Sequence, residues 1–173
     1  GPDHQIQYHL DRPCLMNRLL ITPQEVLDRA FCSGEYLPPE RISEELILAA
    51  TERYIRPVTG VRLLEAMASG AHADLKSDFL LPALALGIRM LLVPELGLQV
   101  GACGLAAASG AGWRSADAQN VSRAEKSLKV RLKTLLGRLS DELERRREEI
   151  PEYDSGQNIL NRCRIYGDLV QIL

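Results

Sequence analysis

Apolar positions crowd most densely between Phe79 and Leu98, FLLPALALGIRMLLVPELGL, where Arg89 and Glu95 are the only charges. Leu80, Leu81, Leu84, Leu86, Ile88, Met90, Leu91, Leu92 and Val93 fall on nearly every side of a helical projection, as in a helix enclosed by others. Pro82 suits a first helical turn, whereas Pro94 and Gly97 predict an early stop. The uninterrupted apolar segment is then about a dozen residues, short of the roughly 20 that a bilayer crossing needs. A central helix of a soluble bundle, without membrane association, is the expectation.

The same pattern places further helices on both sides. Thr22, Pro23 and Glu25 are a cap, a first-turn proline and a first-turn acid, and predict a helix from Pro23 to about Phe31, closed by Ser33 and Gly34. Tyr36 to Pro39 read as an extended linker. Ser43, followed by two glutamates, opens a second helix in which Leu46, Ile47, Ala50, Tyr54 and Ile55 recur at three and four. Pro57 predicts a kink or break, Thr59-Gly60 a corner, and Val61, Leu63, Leu64, Ala66 and Met67 a resumed apolar face. Ala71 to Ser77 read as a polar connection, with His72 a solvated loop residue.

Beyond Pro94, glycines at 97, 101, 104, 110 and 112 argue against helix and for a flexible loop or a hairpin, with Leu98, Val100 and Leu105 as strand positions. This arm, 97–114, almost without charge, is expected to lean on another surface. Trp113, a core plug or an interface anchor, and Arg114 stand at its end. A long helix is expected from Ala116 or Ser122 to Glu149. Ser122 and Glu125 match a capping box, and Val121, Ala124, Leu128, Leu132, Leu135, Leu139 and Leu143 trace one apolar stripe. Its other face carries Arg123, Lys126, Lys129, Arg131, Lys133 and Arg138. That face is either simply solvated or the meeting place of phosphates or an acidic protein. Pro151 ends the helix. The tail Arg162 to Leu173, with β-branched and aromatic residues including Ile165, Tyr166 and Leu169, reads as a strand. A lone strand would pair with the arm, with Leu19 to Ile21, or with a neighbouring molecule.

Composition narrows function more than fold. The chain has 173 residues and a net charge of −2, so one domain is expected and no overall attraction to polyanions. Cys14, Cys32, Cys103 and Cys163 form no C-x-x-C pair and read as free thiols of a reducing compartment. His4, His9 and Cys14 have no metal-ligand spacing, and no P-loop or GxGxxG occurs. No spacing unites a nucleophile, a base and an orienting group, so neither an enzyme nor a cofactor or small-molecule substrate is expected. Gly1-Pro2 is the pair that a common tag-removing protease leaves. Residues 1–20 read as an extension, Met16 as the natural start, and no cleavable signal peptide is visible.

Several blocks, in order, resemble the helical head-tail connector proteins of tailed phages, also called head-completion or adaptor proteins, in the form found in Bacteroidetes phages and prophages. They are ITPQEVL at Ile21 to Leu27, ISEELILAATERYIRPVTGVRLLEAM at Ile42 to Met67, DFLLPALALGIRMLL at Asp78 to Leu92, the uncharged arm from Leu98, the long basic helix, and IPEYD at Ile150 to Asp154. Residues 1–15 depart from the pattern, and the arm is poorer in polar residues than the pattern has it. The resemblance implies a mainly α fold over 21–154, with an arm at 97–114 and a strand-like tail at 155–173. It implies a non-enzymatic ring of about a dozen copies between portal and tail, with DNA in its lumen. Synthesis in the host cytoplasm and a place at the head–tail junction of the virion follow. Leu98, Val100, Leu105, Trp113, Arg114, Ile165, Tyr166 and Leu169 are then the candidate subunit or partner interface. The alternative from the residues alone is a helical nucleic-acid-binding module that uses the basic face.

Overall fold

The computed structural model describes residues 19–104 and 111–165, with side-chain surroundings at 19–94, 119 and 122–162, and every element among them is helical. Helix α1 (Pro23–Ala30) begins as its cap predicts. The Thr22 hydroxyl accepts from the Glu25 N–H at 3.2 Å, and the Glu25 carboxylate accepts from the Thr22 N–H at 2.9 Å. After a 3₁₀ turn at Pro39–Arg41, pinned by buried Leu37 and Ile42, Ser43 caps α2 (Glu44–Ala50) through the Leu46 N–H.

The helix does not break at Pro57. The backbone widens into a π turn at Thr51–Ile55, in which the Arg56 N–H bonds five residues back to the Thr51 carbonyl, and α3 (Arg56–Thr59) follows directly. A proline in an ordinary helix lacks one donor and collides with the carbonyl four residues earlier; a wider turn moves that carbonyl aside. Gly60, at φ 77°, makes the expected corner into α4 (Val61–Ala68).

The device recurs before the next proline. Helix α5 (Ala73–Leu75) passes into a π turn at Lys76–Leu80, the Leu81 N–H reaches back to the Lys76 carbonyl, and Pro82 lies second in α6 (Leu81–Gly104). Ala71 to Ser77 is therefore largely helix, not a polar connection. Nor does α6 stop at Pro94. It continues through Leu98 and Val100 to Gly104, so the part of the expected arm or hairpin at 97–104 is helix and these two residues are not strand positions. Each glycine costs a helix only about 1 kcal/mol. Gly97, Gly101 and Gly104, spaced by four and three, share one face along which a neighbouring helix can approach closely. Leu105 lies outside the described residues.

Helix α7 (Ala111–Arg145) starts before Ala116, so Ser122 and Glu125 lie inside it and form no N-terminal cap. It packs against α6, which also packs on α1 and α2. The stripe on α7 is Leu128, Leu132, Leu136, Leu139 and Leu143; Leu135 is half-buried and Ala124 is exposed. The expected C-terminal strand is overturned where it is described, because Ile159–Ile165 form helix α8. Its β-branched residues weigh less than the Asn158 side chain, which accepts from the Leu160 N–H at 3.0 Å, and Leu160, which packs on the core.

The membrane expectation rested on an early helix stop that does not occur. Ala73–Pro94 is long and apolar enough to cross a bilayer by length and composition. Half of that window is nevertheless buried inside the fold, with Leu84, Ile88 and Leu92 enclosed by the chain's own core.

Tyr54, from the first π turn, lies against α6 at Gly87, where an added Cβ would stand 2.8 Å from the ring carbon Cδ2. At Gly137, on α7, an added Cβ meets nothing within 4 Å. We expect Gly87→Ala to lower stability by about 1–3 kcal/mol in thermal or denaturant unfolding, with part recovered by Tyr54→Leu in the same chain. Gly137→Ala should instead raise it by about 0.5–1 kcal/mol.

Candidate functional site

The candidate interface residues fall into two groups. Leu98 and Val100 lie on α6 and Trp113 and Arg114 in the first turn of α7, on either side of the connection at 105–110. Ile165 is the last residue of α8, which packs against α3, so the described tail neither pairs as a strand with the arm nor with Leu19 to Ile21. Tyr166 and Leu169 lie outside the described residues.

The end of α7 holds a polar cluster that the sequence reading missed. Glu144 Oε1 accepts from the Tyr153 hydroxyl at 2.5 Å, from the Ser155 hydroxyl at 2.6 Å, and from the Asn161 amide. Buried Asn158 donates to Ser140 Oγ at 2.8 Å and to the Tyr153 hydroxyl at 2.9 Å. Burial alone raises the Glu144 pKa, but the hydrogen bonds from Ser155, Tyr153 and Asn161 outweigh it and hold the carboxyl below its ordinary value of 4.5. Burial, and then the Glu144 charge, push the Tyr153 phenol up to about 12. All of these groups are consumed by one another, which makes the cluster a clasp holding 150–162 on α7. Asn158 standing just before Ile-Leu was the one local sign of it, as a cap.

Ion pairs join the start of the long apolar helix to the same region. His72, the one non-glycine residue at positive φ among those described, is half-buried and lies 3.0 Å from Glu152, so it is not a free loop residue. Arg146 reaches Asp74 at 2.6 Å and Glu142 at 2.5 Å. Arg146 first of all holds the Asp74 carboxyl low, and Arg145 that of Glu142. Further along α6, Arg89 closes the end of α1. It donates to the Ala30 carbonyl at 2.5 Å and to both Glu35 oxygens at 3.0 and 2.6 Å, with its guanidinium 4.7 Å from the Phe31 ring centre.

The basic face keeps its identity. Arg123, Lys126, Arg131, Lys133 and Arg138 are exposed and Lys129 is half-buried. Arg138 stacks over Phe79 at 5.7 Å. No family model, curated protein or solved structure matches the chain. No group of three or more His, Cys, Asp or Glu side chains able to hold a metal ion occurs among the described residues, and Cys32 is an exposed free thiol. A shallow groove between Leu20, Ile47, Thr51, Val61 and Leu64 has a volume of about 60 Å³ and is mostly apolar.

Because the folded pKa of Glu144 is depressed, its contribution is present above the ordinary carboxylate value and lost as pH falls through the folded one. We expect Glu144→Gln to cost about 1–3 kcal/mol at neutral pH and to flatten the loss of stability below about pH 4.5, read by urea unfolding across pH. Tyr153→Phe should remove a phenol that titrates at about pH 12 in alkaline absorbance titration.

Proposed function

We propose that this chain is a structural, non-catalytic subunit of a ring-shaped adaptor between the portal and the tail of a tailed phage, with DNA passing through the ring. The observation that carries the reading is the ordered set of connector-like blocks from Ile21 to Asp154. A mainly helical fold is consistent with it, and so is the course of the two longest helices.

Beyond Leu92, α6 runs on by about 18 Å to Gly104, and α7 begins at Ala111, ahead of buried Leu128. From 96 to 113 the sequence holds no charge. A helical pair of that composition gains by lying on another protein surface, and a closed head-to-tail ring offers each copy the surface of the next. Synthesis in the host cytoplasm and incorporation at the head–tail junction fit this role, with portal and tail proteins as partners.

Electron microscopy of the protein, alone and co-expressed with a tailed-phage portal protein, is expected to show rings. The double variant Leu98→Asp, Val100→Asp should abolish them while leaving helicity and the melting temperature unchanged. Wild-type protein that stays monomeric even beside the portal, or a charged variant that assembles as before, overturns the reading.

A further inference from the structure

We infer that the outer face of α7 from Arg123 to Arg138 is a docking strip for the phosphate backbone of double-stranded DNA, read without regard to sequence. Its place in an assembly rests on the ring reading, in which DNA has to slide past; the strip itself does not.

The first observation is charge segregation. Across 123–138 six bases face the single acid Glu125, inside a chain whose net charge is −2. Elsewhere four arginines are neutralised, Arg56 by Glu52, Arg89 by Glu35, Arg145 by Glu142 and Arg146 by Asp74, while Arg29 and Arg162 donate to backbone carbonyls. Among the described residues, no salt bridge ties Arg123, Lys126, Lys129, Arg131 or Lys133 to a carboxylate. Exposed cations left unpaired at this density repel one another, a cost that a polyanion removes.

The second observation is relief. Leu128, Leu132, Leu136 and Leu139 turn inward, so four of the six bases lie on the outer side in two rows, with Arg123 in line with the gap at the start of the strip and Lys129 half-buried at its edge. Lys126 and Lys133 form one row and Arg131 and Arg138 the other, with about 10 Å of rise within each. Between the rows run Val130, which is 64 % exposed, Thr134 and Gly137. A glycine inside a helix is unfavourable, and nothing in the fold occupies the space a side chain would take at Gly137. The middle of the strip is therefore low, and a sugar-phosphate chain can lie between the rows.

Third, the strip has no aromatic ring on which an unpaired base would stack and no Asn or Gln to read a base edge. Lys, Arg and Thr are the donors that contact phosphates. An acidic protein surface is the competing occupant, and the experiment separates the two.

Fluorescence anisotropy of the full chain with duplexes of about 30 base pairs should give a dissociation constant of about 1–100 µM, equal for unrelated sequences, with log K falling against log salt at a slope of about −3 to −5. Lys126→Glu with Lys133→Glu, both exposed and outside the core, should weaken binding at least about tenfold and reduce the slope by about 2, with helicity unchanged. No binding at about 50 mM salt, an unaffected variant, or equally tight binding of polyglutamate overturns the assignment. Microscopy of the same variant separates the two readings. Rings that form but ignore DNA remove the strip and leave the adaptor, whereas DNA binding by a chain that never forms rings does the reverse.

Discussion

A proline inside a helix demands that the backbone either break or widen, and this fold depends on its widening twice. In Thr51–Ile55 and again in Lys76–Leu80 a π turn ends one residue before an X-Pro pair, with an aromatic residue fourth and a buried aliphatic one fifth: Tyr54 with Ile55, Phe79 with Leu80. The widened turns keep α2 continuous with α3 and α5 continuous with α6. They also aim the two rings. Tyr54 is set against the bare backbone at Gly87, and Phe79 beneath the guanidinium of Arg138. A helix that broke at Pro57 would deliver neither the ring nor Ile55 to the core.

The apolar helix thus acquires a fixed partner on each side. Arg89 ties it to α1 through the Ala30 carbonyl and Glu35, Tyr54 ties it to the segment before Pro57, and α7 covers it with a leucine stripe. At its beginning, Asp74 and His72 meet Arg146 and Glu152, which belong to the far end of α7 and the turn after it. Exposed ion pairs contribute little individually. Here they orient two elements whose apolar faces have already brought them together, and the Glu144 clasp fastens the following segment to the same place.

What could be read beforehand divides along the range of the interaction. Thr22, Ser43 and Gly60 were legible because a cap or a corner satisfies backbone groups within three residues. The leucine stripe of α7 was legible in outline, but a strict count of sevens favoured Leu135 and Ala124 over Leu136, since 3.6 residues per turn drifts against such a count. Pro94 and the glycines after it misled because local propensity was read as a stop, although each glycine costs a helix only about 1 kcal/mol. The tail misled for a similar reason: it was read from its β-branched and aromatic residues, and the Asn158 cap before it was not weighed. Of the clasp, only the Asn158 cap left a local sign. Ser140 and Asn158 are eighteen residues apart, and nothing in a linear pattern marks them as partners.

The same division bears on function. A chain that binds through side chains converging from distant positions hides its site in the sequence, whereas one that binds through a helix face displays it at helical spacing. The two surfaces on which the functional reading stands, the uncharged extension of the α6–α7 pair and the basic strip of α7, are of the second kind. The uncharged stretch, 96–113, spans the end of α6 and the first turn of α7, the basic strip lies farther along α7 from Arg123 to Arg138, and ion pairs close that helix's end. On the proposed reading, self-association and polyanion attraction therefore fall at different heights. That separation is what a ring subunit requires, since the surface that meets its neighbour has to stay clear of the one that meets the DNA.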